Sequence, residues 1–553
     1  FYRFKYTNMR FVYIYFLSFL LFSISTEAQI FQSTKDFSRQ DTLRGSNTEY
    51  RNWWDVQHYS ISVEANFDTK FIQGETQIEF LITEDNKGKL MQIDLQPPMK
   101  ITKAWLDNQE ISIAQREGNV YFFSVGNLSK GNIHRLNLAY EGNPKIAVKA
   151  PWDGGWIFTK DQKNRPWMSV AVQGLGASAW FPNKDYQGDE PDRGIELKII
   201  TPRDMIGVGN GRLKSSTKEN GKNVFVWEVK NPINNYNIIP SIGHYVQFQD
   251  HYMGEKGKLD LDYYVLDYNL KKAKKQFEQN KSMLACFEHW FGPYPFYEDS
   301  YKIIEAPHLG MEHQSGIAYG NQYNNGYLGG DVSGTGHGLL WDFIIIHEAG
   351  HEWFGNSITA NDVADMWVHE AFTSYAETLY TECQQGKKTA DEYNIGIRQN
   401  IVNSKPIVGV YGVQQEGSAD MYYKGANMLH TLRTWLDNDS LFREILRGLN
   451  RDFYHQTVDG SEVENYIAKK SGLDLNVFFD QYLRSINVPT LEIKQNNNQI
   501  TYRYTSVLPN FTMPLRLENG QVIYPTEKFK IFEGKPEDFR ILSTYYIYYK
   551  QEE

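Results

Sequence analysis

The chain has 553 residues, too many for one hydrophobic core, so several domains are expected. A hydrophobic share of 41% and a charged share of 22% describe a globular protein and exclude a disordered one. The formal net charge of -10, with no long basic run, argues against nucleic acid as a partner.

In chain order, Met9-Arg10, the apolar residues 11–24 and Ser25-Thr26-Glu27-Ala28 read as a secretory signal peptide. It spans residues 1–28, with cleavage after Ala28 and export to the periplasm or the cell exterior. An uncleaved anchor is the rival, but the apolar run is short for a full span. No other stretch is long and apolar enough to cross a membrane, so no stable span is expected after cleavage. Residues 29–50 are polar and read as a leader. From 51 to 250 short alternating runs such as Tyr59-Ser60-Ile61-Ser62-Val63 and Thr76-Gln77-Ile78-Glu79-Phe80, cut by turn residues, predict an all-β domain. The period changes near Asn269. Residues 251–488 predict a mainly helical domain with a helical pattern from Leu270 to Trp290, a stop at Phe291-Gly292-Pro293-Tyr294-Pro295, a short strand at Tyr301 to Glu305, and helices from 339 to about 485. Residues 489–553 alternate again, with an Asn519-Gly520 turn, and predict a small β unit. Only Cys286 and Cys383 are present; neither sits in a zinc-type pair, and both read as small buried hydrophobes, with pairing open.

The chemistry concentrates at His347-Glu348-Ala349-Gly350-His351 and at Glu370. Histidines at i and i+4 share one helix face and can share a metal. Neutral imidazoles suit zinc, and a glutamate from a second helix completes a three-ligand set with one position open for water. Glu348 then lies beside the metal, where a general base for the zinc-bound water belongs. The apolar run from Leu339 to Ile346 places the motif in a buried helix, and Trp367-Val368-His369-Glu370-Ala371-Phe372 buries a carboxylate that needs a cation.

Three further segments fit the same site: Gly310-Met311-Glu312-His313, Tyr422-Tyr423-Lys424-Gly425-Ala426 and Gln173-Gly174. With them, the chain from about Asp55 to Pro489 resembles the aminopeptidase N and leukotriene-hydrolase family of zinc exopeptidases, the gluzincins with a glutamate eighteen residues beyond His-Glu-x-x-His. The resemblance implies a multidomain α+β fold: an N-terminal all-β saddle-like domain, a thermolysin-like, mainly helical catalytic domain, and the small C-terminal β unit. It implies that His347, His351 and Glu370 bind one zinc ion and that Glu348 is the general base. Glu312 inherits the role of holding the substrate α-amine, and Tyr422 that of stabilising the oxyanion. Gly310 and Met311 inherit backbone contacts to substrate, and Gln173 resembles the residue lining the amine end of the pocket; Tyr423 is a packing neighbour.

Two positions depart from the family pattern. Leu309 stands where the family segment usually begins with Gly, and His313 where it usually ends with Asn, so the clamping strand is expected to be shaped differently; His313 is expected on the surface or in the pocket. About 60 residues follow Pro489, so the large helical C-terminal domain of many members is expected to be absent, leaving an open site or one closed by a partner subunit. The expected function is a zinc-dependent aminopeptidase acting on peptides with a free N-terminus. A zinc endopeptidase is the first rival, a non-catalytic binding module the second, and an epoxide hydrolase side activity rests on family analogy alone. Neither the preferred N-terminal residue nor the oligomeric state can be read from the sequence.

Overall fold

A computed structural model describes residues 36–496 and 499–552. The signal-peptide reading of residues 1–28 falls outside them. Within the stretch read as a leader, Arg39–Gly45 form a short helix, with Ser38 and Asp41 in a capping box. Arg44 of that helix donates to the carbonyls of Gly174 and Leu175, and the buried Arg51 donates to Leu43 O and pairs with Asp94.

The N-terminal region is all β, as its alternation predicts. Strands β1 (Trp54–Asn66), β2 (Phe71–Ile82) and β3 (Ile133–Gly142) pair in antiparallel register, with Tyr59 opposite Ile78 and Ile78 opposite Leu136. Their alternate residues Val63, Ile78, Phe80, Leu136 and Leu138 point into one core, the period-2 signature of a sheet with one buried face. A second sheet of this region holds the hairpin β4 (Gly155–Lys160) and β5 (Pro166–Ala171). Strand β6 (Ile195–Pro202) joins the first sheet parallel to β1.

Strands β7 (Tyr245–Gly254), β8 (Gly257–Leu266), β9 (Tyr301–Glu305), β10 (Gly310–Met311) and β11 (Ile317–Tyr319) form the sheet that joins the two halves, in the order β7-β8-β9-β11-β10. Residue 250 lies inside β7, so the structural seam between the halves is this shared sheet rather than a linker. Its inner strands β8, β9 and β11 are buried on both faces over most of their length. Leu259, Leu261, Tyr263, Val265 and Ile303 face the helical core, while Tyr264, Leu266 and Ile304 face the β core. Strands β8, β9 and β11 run parallel, and β10 closes the sheet as an antiparallel edge strand.

The long helical pattern from Leu270 to Trp290 is two helices, Leu270–Gln276 and α1 (Gln279–Phe291). The catalytic half then contains α2 (Phe343–Gly350), α3 (Trp367–Gln385) and α4 (Asp420–Leu436), with further helices up to residue 479. Leu339 and Leu340, read with the apolar run, lie outside α2 and are exposed. Asp342 starts the helix instead, accepting from the amides of Ile344 and Ile345. Cys286 of α1 and Cys383 of α3 form a disulfide with a Cα–Cα distance of 6.0 Å, which corrects the default of two unpaired cysteines. Ninety-seven residues separate them, so no local pattern announces the pair. The C-terminal unit pairs Thr490–Asn496 with Gln499–Thr505 and Tyr548–Glu552, and its Tyr502, Tyr504 and Phe511 merge with the helical core. Among the described residues no helix is long and apolar enough to cross a membrane.

Candidate metal centre

Helix α2 is buried along its whole length, and its first turn is pinned through Asp342, which also accepts from Tyr319 OH at 2.7 Å and Asn321 at 2.8 Å. His347 sits in its last turn. His351 is the residue that caps it, still with helical dihedrals, so both rings share one face. Glu370 projects from the first turn of α3. Gly350 lets α3 approach, since a side-chain carbon there would stand 3.1 Å from Thr373. Helix α4 packs on α3 just as closely: a Cβ on Gly425 would be 2.5 Å from Ala371 Cβ. That contact, one residue beyond Glu370, brings Tyr422 against Glu370 and gives the Lys-Gly-Ala run its physical reason. The Lys424 ammonium leaves this contact for the Ser485 carbonyl, 2.8 Å away, and burial lowers its pKa to about 8.

The three donor atoms converge. His347 Nε2 and His351 Nε2 are 3.3 Å apart, and Glu370 Oε2 lies 3.6 Å from the first and 3.4 Å from the second. Ligands about 2.1 Å from one ion in tetrahedral array stand roughly 3.4 Å apart, so the triangle has the size of a zinc site. Glu370 Oε2 is buried and accepts no hydrogen bond, which a cation would correct. The far nitrogens are held. His347 Nδ1 donates to Glu377 Oε1 at 2.8 Å, and Glu377 Oε2 accepts from Tyr393 OH at 2.6 Å. His351 Nδ1 donates to the Phe354 carbonyl at 3.0 Å. These bonds fix the tautomers so that both Nε2 lone pairs face the centre. Two nitrogens and one carboxylate oxygen, with no thiolate, suit zinc.

Around this triangle stand two more carboxylates. Donor atoms of Glu312, Glu348 and His351 lie within 4.8 Å of one another. Burial pushes the Glu348 carboxyl up to about 7, against the opposing pull of His347. Burial also raises Glu312, against the pull of His351. Glu312 Oε1 accepts from Tyr236 OH at 2.9 Å and from the Gln173 amide, and its backbone carbonyl accepts from Asn356 at 2.8 Å. Gly310 lies against Glu348: a Cβ there would meet Glu348 Oε1 at 2.6 Å. The Tyr422 hydroxyl donates to Glu370 Oε1 at 3.0 Å.

The side chains of His347, His351, Glu370, Glu348, Glu312, Tyr422 and Gln173 and the backbone of Gly310 are thus in one place, while Met311, between Gly310 and Glu312, buries its side chain with Ala306 and Ala318. Tyr423 is half-buried beside Tyr422. His313 does not lie on the surface: it is fully buried with neither ring nitrogen bonded, its ring set edge-on to His308. Sequence reasoning missed Tyr236, Glu377, Tyr393 and Asn356. Glu377 carried a signal, seven residues after Glu370 and so two turns along the same helix face; the others are long-range partners with none.

The fold and this donor set define a gluzincin, a metallopeptidase whose paired helix-borne histidines are joined by a glutamate from the next helix. Residues 275–482 match the Peptidase family M1 domain, a match that supports an aminopeptidase N-like gluzincin family for this chain. It is 20% identical to Aminopeptidase 2, mitochondrial, of Saccharomyces cerevisiae over 85% of this chain and 50% of that protein. It is 19% identical to a leucyl aminopeptidase of Saccharolobus solfataricus over 85% of this chain and 59% of that one. The chain therefore spans about half the length of the curated relatives it matches. Among solved structures, a mutant M1 zinc metallopeptidase of Deinococcus radiodurans bound to a Tyr-Ser-Ala substrate aligns with a TM-score of 0.64 at 19% identity, covering 78% of this chain and 94% of that one. That likeness concerns the fold.

Proposed function

We propose that this chain is a zinc-dependent aminopeptidase that releases the first residue of peptides with a free N-terminus. The observation that carries the proposal is the placement of Glu312. Its carboxylate is buried within 4.8 Å of donor atoms of Glu348 and His351, and Tyr236 and Gln173 hold it. A substrate ammonium bound there by a charge-assisted hydrogen bond leaves room for one residue before the base, so only the first peptide bond comes into reach. The aminopeptidase names of the relatives and the tripeptide bound to the Deinococcus neighbour agree with this substrate class.

His347, His351 and Glu370 would hold the zinc ion, which supplies Lewis acidity and lowers the pKa of a coordinated water to about 7. Glu348 accepts the proton of the attacking water and delivers it to the leaving amine. Tyr422 donates its hydroxyl to the carbonyl oxygen as negative charge develops there. Glu312 holds the ammonium throughout, and the edge of Gly310 and Met311 aligns the substrate backbone. We also infer export. The inference rests on the signal-like residues 9–28 and agrees with the disulfide, a bond that persists in oxidising compartments.

The test offers one peptide set with free and with acetylated N-termini to the zinc-loaded protein and to Glu348→Gln. Release from the free forms only, lost with a chelator, restored by zinc and reduced about 100-fold or more in Glu348→Gln, is the expected result. Equal cleavage of blocked and free forms would make the protein an endopeptidase. Bound zinc without cleavage of either would return it to the class of binding modules.

A further inference from the structure

A cavity of about 550 Å³ lies outside the carboxyl ends of β8, β9 and β11, walled by Leu266, Glu305, His308, Leu309, Tyr319 and Tyr323. The carboxyl ends of adjacent parallel strands are where open α/β sheets take ligands. Two chain segments lead from the metal centre into it. Gly310 stands against Glu348, and its neighbour Leu309 lines the cavity. Tyr327, whose phenol feels the Glu348 charge, is followed by Leu328, which also lines it.

The direction of substrate follows from the strands. β10 is the edge of its sheet, paired only with β11, and runs from Gly310 towards Glu312. A peptide added to its free edge in antiparallel sense, with its ammonium at Glu312, runs parallel to β11 towards Tyr319. Its downstream residues leave the scissile bond past Gly310 and run alongside Leu309 and His308, which line the cavity.

The cavity is chemically prepared for the end of such a chain. Lys160 and Lys272 line it, both exposed, and neither forms an ion pair among the described residues. The two acidic lining groups have nearer partners: Asp161 is paired with Arg165 at 2.7 Å, and Glu305 accepts from the Leu266 amide and from Asn269, with the Lys272 charge acting on it from beyond ion-pair distance. His308 is 6% exposed, and neither of its ring nitrogens has a partner. Trp167, Leu309, Tyr323 and Leu328 add apolar surface. The wall from the β domain is fixed, because Arg165 and Lys163 of the β4–β5 turn pair with Asp267 at 2.8 and 2.9 Å.

We propose that this cavity binds the downstream end of short peptides, with Lys160 and Lys272 recognising the C-terminal carboxylate. The assignment rests on the aminopeptidase reading for its direction of entry and deepens it, marking the substrates as short peptides with a free carboxyl terminus.

Binding can be read without turnover in zinc-loaded Glu348→Gln. Tripeptides and tetrapeptides, each as the free acid and as the C-terminal amide, are titrated by calorimetry into this protein and into the same protein carrying Lys160→Ala and Lys272→Ala. The acid is expected to bind about fivefold more tightly than the amide for at least one of the two lengths, the scale of a half-exposed charge pair, and the advantage to vanish in the lysine variant. Equal affinities of acid and amide in Glu348→Gln, an acid preference that survives both lysine substitutions, or no binding of either form would overturn the proposal. Hydrolysis of the same peptides by the unsubstituted protein reports separately on the function: peptides that bind with the acid preference yet release no first residue would sink the aminopeptidase reading and leave the cavity assignment standing.

Discussion

Replacing Glu377 by alanine tests whether the metal centre depends on the carboxylate behind its first histidine. Glu377 is fully buried, with Oε1 taking His347 Nδ1 at 2.8 Å and Oε2 taking the Tyr393 hydroxyl at 2.6 Å. Alanine leaves a ring N–H and a phenol hydroxyl buried without acceptors, each at about 1–3 kcal/mol, and frees the His347 ring to turn. Losing a carboxylate of this kind lowers metal affinity about 10- to 100-fold, or roughly 1.4–2.8 kcal/mol. Because both of its oxygens are engaged, the upper figure, about 100-fold, is expected for Glu377→Ala. About tenfold is expected for Glu377→Gln, whose amide oxygen still accepts from His347. Zinc dissociation constants measured by competition with a chromophoric chelator, on metal-free protein verified as folded by circular dichroism, give the comparison. Tyr375→Phe is the control, since it removes a hydrogen bond to His430 from the same helix without touching the ligands. A zinc affinity for Glu377→Ala within twofold of the unsubstituted protein, or no weaker than that of Tyr375→Phe, would refute the reasoning.

Three further outcomes are expected. Gly310→Ala places a methyl group 2.6 Å from Glu348 Oε1 and 2.8 Å from Ile344 Cγ2, so kcat should fall about tenfold or more with zinc content intact; an unchanged kcat would show that the base is not held there. Cys286→Ser with Cys383→Ser opens a cross-link over 97 residues, and loop entropy predicts a loss of about 4.7 kcal/mol in urea unfolding; a loss below about 1 kcal/mol would contradict that account. Burial holds the His308 pKa down to about 4, from an ordinary value of 6.5. Between those values the unfolded chain binds a proton that the folded chain does not, so this contribution to stability is complete above pH 6.5 and is lost as pH falls through 4. The loss reaches about 3 kcal/mol at pH 4. His308→Leu should therefore show a flatter loss of stability below pH 6.5, and parallel curves for the two proteins would count against a neutral buried imidazole.

The convergence of His347, His351 and Glu370 was legible because its geometry is local. Two histidines four apart in a helix must share a face, and Glu370 opens the next long helix. The alternating β strands and the final β unit were legible for the same reason. What escaped depends on contacts across the chain. The helical spacing runs on unbroken past Phe277, yet the helix ends there, where Phe277 packs against Tyr263 and Tyr319. Leu339 and Leu340 continue an apolar run, but the Asp342 cap decides where the helix begins. Strand β7 spans residue 250, the bound drawn between the domains, because it pairs with β8 in the sheet that both halves share. Tyr236 reaches Glu312 across 76 positions, a partnership that no window along the sequence contains.

That last partnership divides the labour of the site unevenly between the halves of the molecule. Every metal-binding atom comes from residues 347–370, while Tyr236 and Gln173, which orient the Glu312 carboxylate, come from the N-terminal half, and Arg44 braces the loop after Gln173. On the aminopeptidase proposal, the power to hydrolyse and the rule about where to hydrolyse would be built by different stretches of polypeptide. Loosening the seam between them would leave a metal centre with its ligands in place and a blunted sense of where a peptide begins. On that proposal, selectivity is a property of assembly, complete only when residues of both halves stand around Glu312.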